Sequence, residues 1–211
     1  MRFIVFSLLL AVLSGCTQTH QQKALQVSAG TTVRFESFPS KFIQPRNVDV
    51  WLPDSYNEND RCAVLYMHDG QMLFDSGITW NKQEWSVDET LSRLMNEGKI
   101  SKTIVVGIWN VSEIRHSDYF PEKPFYSLPE KFRDSLLNEA RRNPETLLFK
   151  TDIQSDNYLK FIVNELKPFI DSAFATNPES AFTFVAGASM GGLISMYAMC
   201  EYPHVFGGAA C

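Results

Sequence analysis

Histidine and cysteine are both scarce here, at four residues each in a chain of 211. The cysteines, Cys16, Cys62, Cys200 and Cys211, fit no zinc-ligand spacing, so no metal site is expected. There is no excess of positive charge: 19 Lys and Arg stand against 24 Asp and Glu, a formal net of -5. That balance excludes the basic footprint of a nucleic-acid binder and a polybasic membrane patch. No internal repeat or low-complexity stretch occurs. The apolar run from Phe3 to Val12, broken only by Ser7, is too short for a stable membrane-spanning helix, which needs about 20 residues. What remains is 45% hydrophobic and 13% aromatic, enough to fold one domain of ordinary size or part of a larger one.

Arg2 before that apolar run has the shape of a secretory signal peptide. The run ends Leu13-Ser14-Gly15-Cys16, which resembles a bacterial lipobox, where small residues precede a cysteine that becomes the acylated N-terminus. Residues 1–16 are therefore expected to be a lipoprotein signal and Cys16 the lipidation site. Thr17, where Asp would favour the inner membrane, leans the expected location to the outer membrane or periplasmic face of a bacterial envelope. Residues 17–30, rich in Gln, Thr and Ser, read as a flexible tether. An oxidising destination permits disulfides, but three remaining cysteines cannot all pair, and small buried thiols is the plainer reading.

Patterning over 31–211 gives an α/β domain. Val48, Val50 and Leu52 alternate with polar residues, as in a half-buried strand near a sheet edge. Ala63–Met67, Ile104–Ile108 and Phe182–Val185 are short apolar runs suited to central strands. Ser86 and Glu89 have capping-box spacing before a helix bearing Val87, Leu91, Leu94 and Met95, with Gly98 as its stop. Asp156 is placed to cap a helix whose apolar face is Leu159, Ile162, Val163, Leu166, Phe169 and Ile170. Met190–Tyr202 reads as another helix, and Val205–Cys211 as entry into a further strand. Strands separated by helices imply a mostly parallel sheet with helices on both faces. The charged segment Pro121–Lys150 reads as a surface excursion or a cap over a site. In such sheets ligands lie beyond the carboxyl ends of the strands, here just after Met67, Ile108 and Val185.

The chemistry is expected after Val185. Gly187-Ala188-Ser189-Met190-Gly191 has the Gly-x-Ser-x-Gly pattern of a nucleophile elbow, between a strand and a helix. A chain turning that sharply brings the positions two before and two after the serine together, and only glycine leaves room. Ser189 is thus the candidate nucleophile, and the Met190 N–H one oxyanion donor. A second donor is expected from the loop after an earlier strand, at the Gly70 or Gln71 N–H. His68 reads as a structural holder of that loop.

Several segments now carry a resemblance. Cys62-Ala-Val-Leu-Tyr-Met-His-Asp-Gly-Gln-Met-Leu-Phe-Asp75 through Trp85, Ile104–Asn110, Arg115 with Asp118-Tyr119-Phe120-Pro121, and Gly187–Leu193 are similar to the Putative esterase family of α/β hydrolases. That family includes esterase D-like proteins, enterochelin (siderophore) esterases, and feruloyl and acetylxylan esterases, and the likeness spans about residues 45–211. It implies an α/β-hydrolase fold, a serine carboxylic-ester hydrolase working through an acyl-enzyme, and no cofactor. It also implies Trp85, Trp109 and Arg115 as residues lining or supporting the site. The expected partner is a small sugar- or siderophore-linked ester, with no nucleic acid. A non-catalytic ligand-binding lipoprotein and an acyltransferase are the other readings.

The family's triad runs serine, acid, histidine. After Ser189 only Glu201 and His204 qualify, both at the far end of the helix that starts at the serine. His20 and His68 offer no base, and His116 would reverse the order. The triad acid and histidine are therefore expected outside this chain, the last strands missing, the domain over 31–211 incomplete at its C-terminus, and the 211-residue piece itself inactive.

Overall fold

The computed structural model describes residues 25–211; the expected signal, lipobox and Cys16 lie outside the described residues. In chain order the elements are β1 (Thr31–Phe38), β2 (Arg46–Leu52), β3 (Ala63–His68), α1 (Val87–Asn96), β4 (Thr103–Ile108), α2 (Arg115–Tyr119), α3 (Glu122–Tyr126) and α4 (Glu130–Asn138). There follow β5 (Arg141–Asn143), β6 (Thr146–Leu147), α5 (Ser155–Phe161), α6 (Lys167–Ala173), β7 (Thr183–Ala186), α7 (Met190–Glu201) and β8 (Gly208–Ala210). A π-helical turn over Ile162–Leu166 joins α5 to α6 just before Pro168, whose missing N–H cannot continue a regular ladder.

The main sheet has six strands in the order β1-β2-β4-β3-β7-β8. β1 and β2 are antiparallel to their neighbours, and β4, β3, β7 and β8 run parallel. Alternate residues split the core by face. Val48, Val64, Tyr66, Val106 and Val185 pack against Leu159, Ile162, Leu166 and Ile170 of the α5–α6 helix and Ile194 of α7. On the other face Trp51, Leu65, Met67 and Val105 meet Val87, Leu91 and Met95 of α1. Helices thus cover both faces, as expected.

Four local expectations need correction. β2 lies near the sheet edge as expected, next to the edge strand β1, but it is not half-buried: Asp49 is fully buried, its charge matched by Arg34 at 2.7 Å. The capping box at Ser86 does not form: Ser86 is left-handed (φ 50°) without a side-chain cap bond. The Asp88 carboxylate instead accepts the Ser28 and Ala29 N–H groups, at 2.7 and 3.2 Å. Those same bonds, with Leu25 buried and Trp51 Nε1 donating to the Ala29 carbonyl, hold residues 25–30 on the domain where a tether was expected. Asp156 lies inside the first turn of α5, after the cap position at Gln154, and accepts the Tyr197 hydroxyl at 2.6 Å. Of the described cysteines Cys62 is buried while Cys200 and Cys211 are exposed, and all three are free thiols.

Candidate active site

Two strand exits build the site. At the end of β7 the chain reverses into α7 through Ser189, at φ 57° and ψ -118°. A serine in this sparsely populated region stores about 1–3 kcal/mol, held by the surrounding packing. The flanking glycines are required: a Cβ on Gly187 would stand 2.6 Å from the Gly191 carbonyl carbon. Ser189 is exposed, and its carbonyl accepts the Leu193 N–H at 3.0 Å. Met190 opens α7, so its N–H lies among the first helical donors, which have no partner within the helix and favour negative charge.

At the end of β3 the chain turns through Asp69, left-handed at φ 59°, into a short turn over Gly70–Met72. Gly70 is pressed on β4: a Cβ there would meet the Gly107 carbonyl carbon at 2.5 Å. The Asp69 carboxylate takes Arg115 Nε and Nη2, each at 2.7 Å, and Asn110 Nδ2 at 2.6 Å. The Asp69 N–H donates to the Tyr119 hydroxyl at 3.3 Å, and Gln71 Oε1 accepts the Asn110 N–H at 3.2 Å. Burial disfavours the Arg115 charge, but the Asp69 carboxylate outweighs it and moves the guanidinium up. This bidentate pair fixes the loop beside the elbow; a Cβ on Gly191 would lie 3.3 Å from Asp69 Oδ2.

A cleft of about 770 Å³ opens where the exits meet. Ser189, Ala188 and Gln71 line it, together with Ile78, Trp80, Trp85, Asn110, Arg115 and Arg142. The expected site residues Ser189, Gln71, Trp85 and Arg115 thus share one cavity. Met190 and Gly70 sit behind it, half-buried and buried. Trp109 does not line the cleft, a correction: its Nε1 donates to Asp49 Oδ2 at 2.6 Å and its ring lies 4.7 Å under the Arg34 guanidinium. It braces β2 rather than facing substrate.

The histidines divide clearly. His68 is fully buried below the elbow, its Nδ1 2.8 Å from the Tyr158 hydroxyl, with Tyr119 and Tyr158 against its ring. Burial pushes it down to about 4, so it is neutral near pH 7 and structural, as expected. His116 lines an adjoining cavity of about 320 Å³ beside Glu113, Arg142 and Lys150. Burial, then Arg115 and Arg142, push it below its ordinary value. His204 follows α7, whose twelve residues carry it about 18 Å from Ser189. Among the described residues no histidine is hydrogen-bonded to Ser189.

The sequence reading missed the clamp on Asp69 and the cleft position of Arg142. Asp69 lies 46 residues from Arg115, and no local pattern signals such a pair. Pro121–Lys150, read as excursion or cap, packs its Phe125 and Phe149 with Ile153 into a small separate core and lends Arg142 to the cleft.

A parallel sheet covered on both faces, with a strained serine at a strand-to-helix elbow above it, defines an α/β-hydrolase fold. The family described as Putative esterase matches residues 40–211, and the chain belongs to that family. It is 28% identical over 163 residues to the uncharacterized protein YbbA of Bacillus subtilis (strain 168), covering 77% of this chain and 54% of the relative. An IroE-like serine hydrolase from Shewanella oneidensis superposes with a TM-score of 0.59 at 26% identity, over 85% of this chain and 48% of that one. The ferulic acid esterase AmCE1/Fae1A from Anaeromyces mucronatus gives a TM-score of 0.55 at 20% identity, over 89% and 59%. The chain thus spans about half the length of the curated relative and of these solved structures.

Proposed function

We propose that this chain carries the nucleophile and oxyanion half of a serine esterase. The observation that supports it is the backbone of Ser189, held at φ 57°, with the residue exposed and lining the cleft. Ser189 Oγ attacks the ester carbonyl carbon, and its proton passes to a histidine. The carbonyl oxygen becomes an oxyanion facing the N–H groups of Met190 and Gln71, with Gly70 setting the turn beneath. The oxyanion collapses, the alcohol leaves with that proton, and water then hydrolyses the acyl-enzyme. Among the described residues the histidines are buried, remote or in the next cavity, and His20 lies outside them; the histidine and its acid are proposed to come from residues beyond these 211, in line with the greater length of the relatives, and the piece alone to be inactive. Trp80 and Trp85 offer rings to a sugar or aromatic group, which fits an ester linked to a sugar or siderophore, in line with the similarity to a ferulic acid esterase and an IroE-like hydrolase. In a protein extended to hold the base, Ser189→Ala lowers 4-nitrophenyl acetate turnover by about 10³-fold or more. Unchanged turnover rejects the mechanism, and full turnover by the 211-residue piece rejects an external base.

The missing serine–histidine contact favours one alternative, a ligand-binding protein on the same fold. An extended protein that binds esters yet never turns them over would establish it. The N-terminal reading stands as a further proposal: Cys16 is acylated and anchors the protein in a bacterial envelope, at the outer membrane or periplasmic face. Radiolabelled palmitate incorporation, lost in Cys16→Ala, is the expected result; equal labelling of the variant would reject it.

A further inference from the structure

The cleft differs in charge from the molecule around it. The chain carries a net of -5, yet the charged groups on the cleft are Asp69, Arg115 and Arg142. Asp69 is occupied by Arg115 through two bonds of 2.7 Å. Arg142 has no carboxylate partner among the described residues; its Nη1 reaches only the Ser112 carbonyl, at 3.5 Å, beyond the usual range for such a bond. Ser112 and Arg142 also line the adjoining cavity. There the acid, Glu113, is paired with Lys150 at 3.4 Å. Among the described residues that line the cleft, Arg142 is thus the cation without a carboxylate partner.

Its placement is built into the fold. Arg142 lies on the β5–β6 hairpin, whose turn is closed by Asn143 Oδ1 accepting the Glu145 and Thr146 N–H groups and the Thr146 hydroxyl, at 3.0, 2.9 and 2.6 Å. The same cleft is lined by Trp80, 86% exposed, and Trp85. A guanidinium and aromatic rings lining one cleft suit a substrate with a flat apolar body and a negative group.

Resting on the serine-esterase reading above, we propose that Arg142 is a specificity residue that selects esters bearing a carboxylate. The carboxylate takes the place of the ion-pair partner Arg142 lacks, and the scissile carbonyl sits over Ser189.

Two substrate pairs locate the charge: 4-nitrophenyl hydrogen glutarate against its methyl ester for the acyl side, and 4-acetoxybenzoate against its methyl ester for the alcohol side. In the extended protein, Arg142→Gln lowers the anionic-to-neutral ratio of kcat/KM about fivefold, the size of an exposed ion pair, mainly through KM. Arg142→Glu inverts the preference. A change in one pair identifies the side that carries the charge; an unchanged ratio in both overturns the proposal. Calorimetric titration of the same esters into Ser189→Ala protein, with and without Arg142→Gln, reads Arg142 without turnover. There the anionic ester binds more weakly to the double variant, and equal affinities overturn the proposal. Absence of turnover in every extended protein, with that affinity difference intact, instead rejects the hydrolase reading alone.

Discussion

Replacing His68 by glutamine tests the buried frame beneath the loop that follows β3. His68 ends β3, and its neighbour Asp69 begins the loop that carries Gln71. The ring is fully buried, and its pKa is lowered from 6.5 to about 4 by burial. The Asp69 carboxylate opposes that shift, while Arg115 and Arg46 add to it. An unfolded chain protonates this histidine near its ordinary value, whereas the folded one resists until about pH 4. The stability His68 contributes as a neutral ring is therefore full above pH 6.5 and is lost as the pH falls towards 4. The gap between those values is worth about 3 kcal/mol in full, and about 2 kcal/mol of it disappears between roughly pH 7.5 and pH 5. The other titrating groups are common to wild type and variant, so the difference between the two isolates the contribution of the histidine. Glutamine keeps a hydrogen-bonding group for the Tyr158 hydroxyl and cannot titrate. Urea unfolding at both pH values should show wild type losing about 2 kcal/mol more than His68→Gln. Parallel losses would refute the claim that a neutral, desolvated His68 underlies the loop.

Other outcomes follow from the same geometry. Gly187→Ala places a methyl group 2.6 Å from the Gly191 carbonyl carbon; a loss of about 3 kcal/mol in a denaturant titration is expected, and a neutral effect would show that the elbow is not closely packed. Trp109→Phe removes the 2.6 Å bond to Asp49; stability should fall by about 1–3 kcal/mol with kcat/KM unchanged in the extended protein, whereas a kinetic loss at unchanged stability would return Trp109 to the substrate. Asp69→Asn weakens both Arg115 contacts; kcat of the extended protein should fall with KM little changed, and the reverse would mean that Arg115 serves binding alone.

What the sequence made legible is local. Gly187–Gly191 announces its elbow because the steric demand falls within five residues, and β3 and β4 announce themselves as unbroken apolar runs. The burial of β2 was hidden, because Asp49 breaks its apolar pattern and only its tertiary partners, Arg34 and Trp109, explain that charge. Ser86 shows the limit of motif spacing: Asp88, two residues on, binds the backbone of Ser28 and Ala29, a contact 60 residues distant in sequence. Trp85 and Trp109 look alike as lone tryptophans near strand exits, and only tertiary placement sends one to the cleft and the other to Asp49. Arg142 lay in a charged stretch without clear periodicity, where nothing local marks a side chain as facing a distant serine.

The most direct measurement is covalent: treat the extended protein with a fluorophosphonate and locate the adduct by peptide mass spectrometry. Phosphonylation on Ser189 alone, abolished by prior denaturation, is the predicted result. A folded protein that leaves Ser189 unmodified, or that carries the adduct on a different serine, would contradict the account.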